Sequence, residues 1–293
     1  MKLVRNIVAM VVLLSSLAFS ADVCSGLYDA GDYHKSGDCY IRQLKKDKTL
    51  VNYYFTGDSL RKQGRNKEAL TYLNEAEKLA NKEADLGLIY NRLSMLYGNL
   101  GDKKSELAYN MKALNIVLKG NNKNDIASTY SNLGNYYARL KDENKALEFY
   151  NKALEYNNEN ASIYTNMAIS YGNLNNFDKA EEFYKKAIAI DLNKGDYLSL
   201  CGDKSNFGIF YYNQNKYNEA IPMLEEAKDI CHKSGDISDE ANSLISLGLI
   251  SLKQGNLTSA KSYYAQAKPL AIQSGNSVVF SSLNSLKNKI DNQ

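Results

Sequence analysis

The stretch Ser162–Ile190 reads SIYTNMAISYGNLNNFDKAEEFYKKAIAI, and its reading decides the fold. Two helical segments meet at a break at Asn175, with small residues at Ala168, Ala180 and Ala187. The same arrangement recurs along the chain. Small residues stand at Gly57, Ser94, Gly134, Ala168, Gly208 and Gly248, at intervals of 37, 40, 34, 40 and 40. Ala76, Ala113, Ala153, Ala187, Ala227 and Ala267 keep the same uneven intervals. A third series, Ala69, Glu106, Ala146, Ala180, Ala220 and Ala260, is broken once by a glutamate. Independent landmarks that share one irregular spacing mark an internal repeat.

Each repeat reads as a pair of helices. In the third, Tyr130, Leu133, Gly134 and Tyr137 form one stripe, and Ala146, Leu147, Tyr150, Ala153 and Leu154 form a second. The small residues belong where two antiparallel helices cross, since a larger side chain would hold the backbones apart. The 23 tyrosines supply the bulk between repeats. Breaks fall at Gly64, Gly101, Lys141, Asn175, Asn215 and Gly255, where glycine or asparagine can take the left-handed conformation that ends a helix. Repeats longer than 34 residues imply extended helices or longer loops, such as Lys119–Asn124 and Asn193–Asp203. Glu106 and Asn110 occupy core-type positions and make the second repeat degenerate.

The recurring order of aromatic, Leu–Gly, Tyr, Ala, aromatic and Ala resembles the tetratricopeptide repeat family, over about Leu50 to Ser274. The family's usual proline at the end of each unit is missing here. The resemblance implies an all-α, right-handed superhelical solenoid of antiparallel helix pairs. The expected division is a signal at 1–20, a clipped N-terminal helical hairpin at 21–49, six repeats at 50–276 and a capping helix at 277–293. Val278, Leu283, Leu286 and Ile290 are expected to face inward on that last helix.

The signal is read from Lys2 and Arg5, the apolar run Ile7–Leu14, and the small residues Ala18 and Ser20 ahead of Ala21. The run is too short to span a bilayer, and no second one follows, so no stable membrane span is expected after cleavage. A periplasmic or secreted location follows, in an oxidising compartment. The whole chain carries 36 basic and 33 acidic residues. Without Lys2 and Arg5 the balance is 34 to 33, too even to suggest nucleic acid as a partner.

Chemistry is sparse. The chain has two histidines, and no nucleophile elbow, phosphate loop, dinucleotide fingerprint or two-histidine zinc motif, so neither an enzyme nor a cofactor is expected. The four cysteines allow three pairings. Cys24 with Cys39, and Cys201 with Cys231, is the one that stays within helix pairs, because antiparallel helices bring those ends together. Free thiols, or a metal held by Cys201, Cys231 and His232, are the alternatives, the latter lacking a fourth ligand.

The candidate binding surface is the inner groove, lined by the first helix of each repeat. Asn132, Asn135 and Arg139 share a helix face, and Asn166 and Asn173, then Asn206 and Asn213, repeat the pattern. Asparagine both donates and accepts, so such a ladder can hold the backbone of an extended peptide. Arg92 and Arg139 can add a carboxylate contact. Chaperone-binding members of the resembled family clamp a terminal carboxylate with lysine, asparagine and arginine. Here the lysine positions hold Tyr54, Asn91, Ser131, Thr165, Ser205 and Ile245, so the clamp does not carry over. The expected function is an exported scaffold or adaptor for a protein or peptide partner. The rival readings are an assembly factor for an envelope complex that uses the convex face, and a regulatory subunit of an envelope enzyme.

Overall fold

The computed structural model describes residues 23–293, and every regular element among them is helical. The signal assigned to residues 1–20 lies outside the described residues. The chain divides into two compact blocks, one ending at Asn81 and one running from Lys82 to Gln293.

The first block holds α1 (23–29), α2 (Tyr33–Leu44), α3 (Leu50–Lys62) and α4 (Asn66–Leu79). Its small core joins Cys24, Cys39 and Tyr40 to Leu27 and Phe55, with the rings of Tyr40 and Phe55 stacked 5.2 Å apart.

The second block alternates first and second helices of a repeat: α5 (Glu83–Leu100) with α6 (Lys103–Val117), α7 (Lys123–Arg139) with α8 (Glu143–Tyr156), and α9 (Ala161–Asn173) with α10 (Phe177–Lys194). Then come α11 (Tyr197–Asn213) with α12 (Tyr217–Ser234), α13 (Ile237–Lys253) with α14 (Leu257–Ser274), and a last helix α15 (Ser277–Asp291) against α13 and α14. Successive first helices touch one another, α5 to α7, α7 to α9, α9 to α11 and α11 to α13, whereas the second helices make no contact of that extent. The first helices therefore crowd along the inner side of this block, and the second helices fan outward.

Local sequence sets each turn within a pair. One residue in the left-handed region ends the first helix, and the next residue starts the second. Gly64, Gly101, Lys141, Asn175, Asn215 and Gly255 all have positive φ, the six positions expected from the sequence. Lys141 (φ 64°) does so without glycine's freedom or asparagine's tolerance. After four of these six comes a side chain that accepts from a backbone N–H of the new helix: Asp102, Asp142, Asn176 and Asn256.

Every member of the three small-residue series is buried, Glu106 included. The reason is steric. A Cβ on Gly134 would lie 2.3 Å from the Tyr150 ring, and one on Gly57 or Gly208 would lie 2.6 Å from Leu73 or Leu224.

Two expectations need correcting. Asn193–Asp203 is not a loop, because α10 runs to Lys194 and α11 starts at Tyr197. The longer repeats add about one turn to each helix: α10 has 18 residues where α8 has 14, and α11 has 17 where α9 has 13. On α15, Val278 is 71% exposed and Val279 takes the inward place, since 279, 283, 286 and 290 lie on one helical stripe and 278 lies about a quarter to two-fifths of a turn away.

Candidate functional site

The inner side of the second block is built by α5, α7, α9, α11 and α13. Polar side chains knit these helices to one another. Asn91 donates to the Thr129 hydroxyl (2.9 Å), and Asn132 donates to Asn91 Oδ1 (3.2 Å). Thr165 donates to Asp203 Oδ1 (2.7 Å), and Ser243 donates to the Ser205 hydroxyl (3.1 Å). Three of the positions where a carboxylate clamp would carry lysine, Asn91, Thr165 and Ser205, thus bond the next repeat.

The sequence-derived ladder divides into two kinds of residue. Asn132 is only 7% exposed and belongs to the Asn91–Thr129 knot. Asn135 accepts from the Tyr150 hydroxyl (2.7 Å), Arg139 pairs with Glu106, and Asn173 donates to Glu143 (2.7 Å). Arg92 is half-buried and acts electrostatically on Asp125, whose carboxyl burial pushes above its ordinary range. These five side chains face partners of their own chain. Asn166 and Asn206 are half-buried, Asn213 is exposed, and none of the three bonds another described side chain or backbone group.

One feature of this surface was missed in the sequence. Ile169, Ile209 and Leu249 follow one another at intervals of 40 on α9, α11 and α13. Ile169 is exposed, while Ile209 and Leu249 are half-buried. Each stands three residues after a residue of the polar series Asn166, Asn206 and Ser246, close to it on the helix surface. The signal was available, since the repeat register predicts it, but a period of 40 is visible only after the repeats are aligned. The residues that result are partly exposed apolar side chains, two of them beside amides that bond no other described group.

The cysteines lie at disulfide distance in the pairs expected from the repeat. Cα atoms are 5.5 Å apart for Cys24 and Cys39, and 5.1 Å for Cys201 and Cys231. The alternative metal set fails on geometry, because the His232 ring is turned to Glu240 (3.1 Å). Cys201 also lies near Asp236 and Asp239, but a sulfur joined to Cys231 offers no thiolate to a metal. No helix among the described residues is long and apolar enough to cross a membrane.

Comparison with known proteins agrees with this architecture. Residues 85–159, 125–193 and 204–273 match a family model described as tetratricopeptide repeat, and residues 51–83 match a second model of the same description. No curated protein matches the chain. A tetratricopeptide repeat protein from Parabacteroides merdae superposes with a TM-score of 0.58 at 18% identity, covering 93% of this chain and 99% of the other. BtubC from P. vanneervenii superposes with a TM-score of 0.56 at 22% identity, covering 73% of this chain and 91% of the other. At such identities the likeness is one of fold.

Proposed function

The chain belongs to the tetratricopeptide repeat family, and from that premise we propose that it is an exported, non-catalytic scaffold that holds an extended segment of a partner protein along α9, α11 and α13. The observation that carries this reading is the free hydrogen-bonding capacity of Asn166, Asn206 and Asn213 beside Ile169 and Ile209. Amides there can satisfy a partner's backbone, while the isoleucines take its alternate apolar side chains. Arg92, Asn132, Asn135, Arg139 and Asn173 shape the groove in this reading, since each answers to a group of its own chain. Export rests on Lys2, Arg5 and the apolar run before Ala21, and the disulfide-distance cysteine pairs suit an oxidising compartment.

The test is site-specific photo-crosslinking in the native envelope. A photoreactive residue at Ile169 or Ile209 should capture a partner, and one at Glu182, on the outer helix α10, should not. Asn166→Ala with Asn206→Ala should weaken the captured partner about 30-fold or more, because peptide groups left without a mate cost about 1–3 kcal/mol each. The same variants should melt within about 0.5 kcal/mol of the parent. Capture at Glu182 alone would move the interface to the outer helices. N-terminal sequencing of the recovered protein should begin at Ala21, and a start at Met1 would overturn export.

A further inference from the structure

Two carboxyl groups that the binding surface does not use meet inside the second block. Asp191, in the last turn of α10, is 2% exposed, and Asp203, in α11, is 7% exposed. The two carboxyl groups lie close enough to act directly on each other. Asp203 Oδ1 accepts from Thr165 of α9, but Oδ2 of Asp203 and Oδ2 of Asp191 are each buried with no hydrogen-bond partner.

The surroundings offer little positive charge. The helix α9 contributes the Thr165 hydroxyl and no charged residue. From α10 come Tyr184 and Lys194, and the ammonium of Lys194 is drawn to the Glu159 carbonyl oxygen (2.5 Å). From α11 comes Asp196 as a further negative charge, while Lys204 is turned to Glu226 of α12. From α13 come Asp239 and, behind it, Asp236, and the neighbouring Glu240 is paired with His232 of α12. Asp191 also sits at the negative end of its helix.

Two neighbouring buried carboxylates with no cation between them resist being charged together, and one shared proton removes that repulsion and supplies a donor where the buried oxygens have none. We propose that Asp191 and Asp203 form a proton-operated latch: sharing one proton, they hold the end of α10 and the Thr165 tie of α9 onto α11, and losing it loosens this seam. The seam sets the spacing of α9 and α11, the helices that carry Asn166 and Asn206. The inference requires no partner and stands or falls independently of the binding reading.

The direction of the effect follows from linkage. Burial, then the neighbouring Asp203, pushes the Asp191 carboxyl up to about 7 from an ordinary 3.8, and burial raises Asp203 as well. The folded state thus keeps a proton that the unfolded chain has released. Stability from the pair is whole below about pH 4, declines as pH rises towards 7, and stays low above.

Hydrogen exchange of the intact mature chain, corrected for the intrinsic pH dependence of exchange, tests this. Protection in residues 188–207 should fall at least about tenfold between pH 5.5 and 8.5, since each unit of pKa difference is worth a factor of ten. Residues 125–137 of α7 serve as the control and should hold their protection. Asp191→Asn supplies a permanent donor to Asp203 and should abolish the drop. Asp203→Asn, which donates to Asp191 instead, is the second variant and should do the same. Equal protection at both pH values in the parent chain, or a drop that survives in a folded variant, would overturn the latch. If neither variant folds, carboxyl carbon NMR of the parent decides: a midpoint for Asp191 near 4 rejects the proposal, and one near neutrality supports it.

Discussion

Arg139, at the end of α7, pairs with Glu106 of α6, the one residue that interrupts an otherwise unbroken series of alanines. The Glu106 side chain is 2% exposed, and that of Arg139 is 42% exposed. The pair also explains Gly98, because a Cβ there would come within 2.7 Å of the Arg139 guanidinium and 3.1 Å of the Glu106 carboxyl carbon. The second repeat is therefore not a decayed copy at this point. It has exchanged an alanine contact for an ion pair with the repeat that follows.

The exchange predicts unequal costs. Arg139→Ala leaves a buried charge unpaired and should cost about 1–3 kcal/mol, a figure lowered for the solvent that reaches the guanidinium. Glu106→Ala frees an arginine that water can solvate, and should cost less. Chemical denaturation of both single variants and the double variant measures this. A larger loss from Glu106→Ala than from Arg139→Ala would show that the carboxylate matters through another partner.

Two glycines should respond in opposite ways to one added methyl group. Gly134→Ala drives a Cβ into the Tyr150 ring, at 2.3 Å from Cε1, and should destabilise by about 1–3 kcal/mol. Gly172→Ala meets only Phe210, at an ordinary 3.5 Å, and should be neutral or gain up to about 1 kcal/mol from helix propensity. Thermal melts of the two variants would separate them, and equal effects would contradict the packing described here.

Asn110 is buried with both amide atoms unpartnered, at the position held by Leu73, Tyr150, Tyr184 and Leu224 in other repeats. Its opposite number is Ser94, where Leu73 and Leu224 face glycine. Asn110→Leu combined with Ser94→Gly should stabilise the block by about 1–3 kcal/mol, by removing an unsatisfied polar group without crowding the crossing. Asn110→Leu alone should gain less. A double variant less stable than the parent would mean that the amide is satisfied in solution.

Replacing Cys201 and Cys231 with alanine should cost roughly 2–4 kcal/mol, the constraint on the unfolded chain being the main loss. The pair spans a sequence separation of 30 residues. Peptide mapping without reductant should recover 24–39 and 201–231 links. Four free thiols, or a 39–201 link, would refute the pairing.

Much of this architecture is written in short stretches of chain. A left-handed residue at Lys141 or Asn175 followed by a capping side chain at Asp142 or Asn176 makes a helix–turn–helix without help from elsewhere. The small residues mark the helix crossings because only local sterics decide what fits beneath Tyr150 or Leu224. The cysteine pairs were legible for the same reason, each lying inside one helix pair.

Contacts between repeats obey different rules. Asn132 and Asn166 occupy equivalent positions in their repeats, yet Asn132 is buried against Asn91 and the Asn166 side chain bonds no described group. What separates them is the residue offered by the preceding repeat, some 40 positions away, and no periodicity within a helix carries that information. The sequence by itself determined the helices and their pairing and pointed to the cysteine pairs, since these depend on residues close along the chain. Tertiary structure alone decided which asparagines remain available, why Glu106 is tolerated, and that Asp191 meets Asp203, because each depends on how one repeat is rotated and seated against the next.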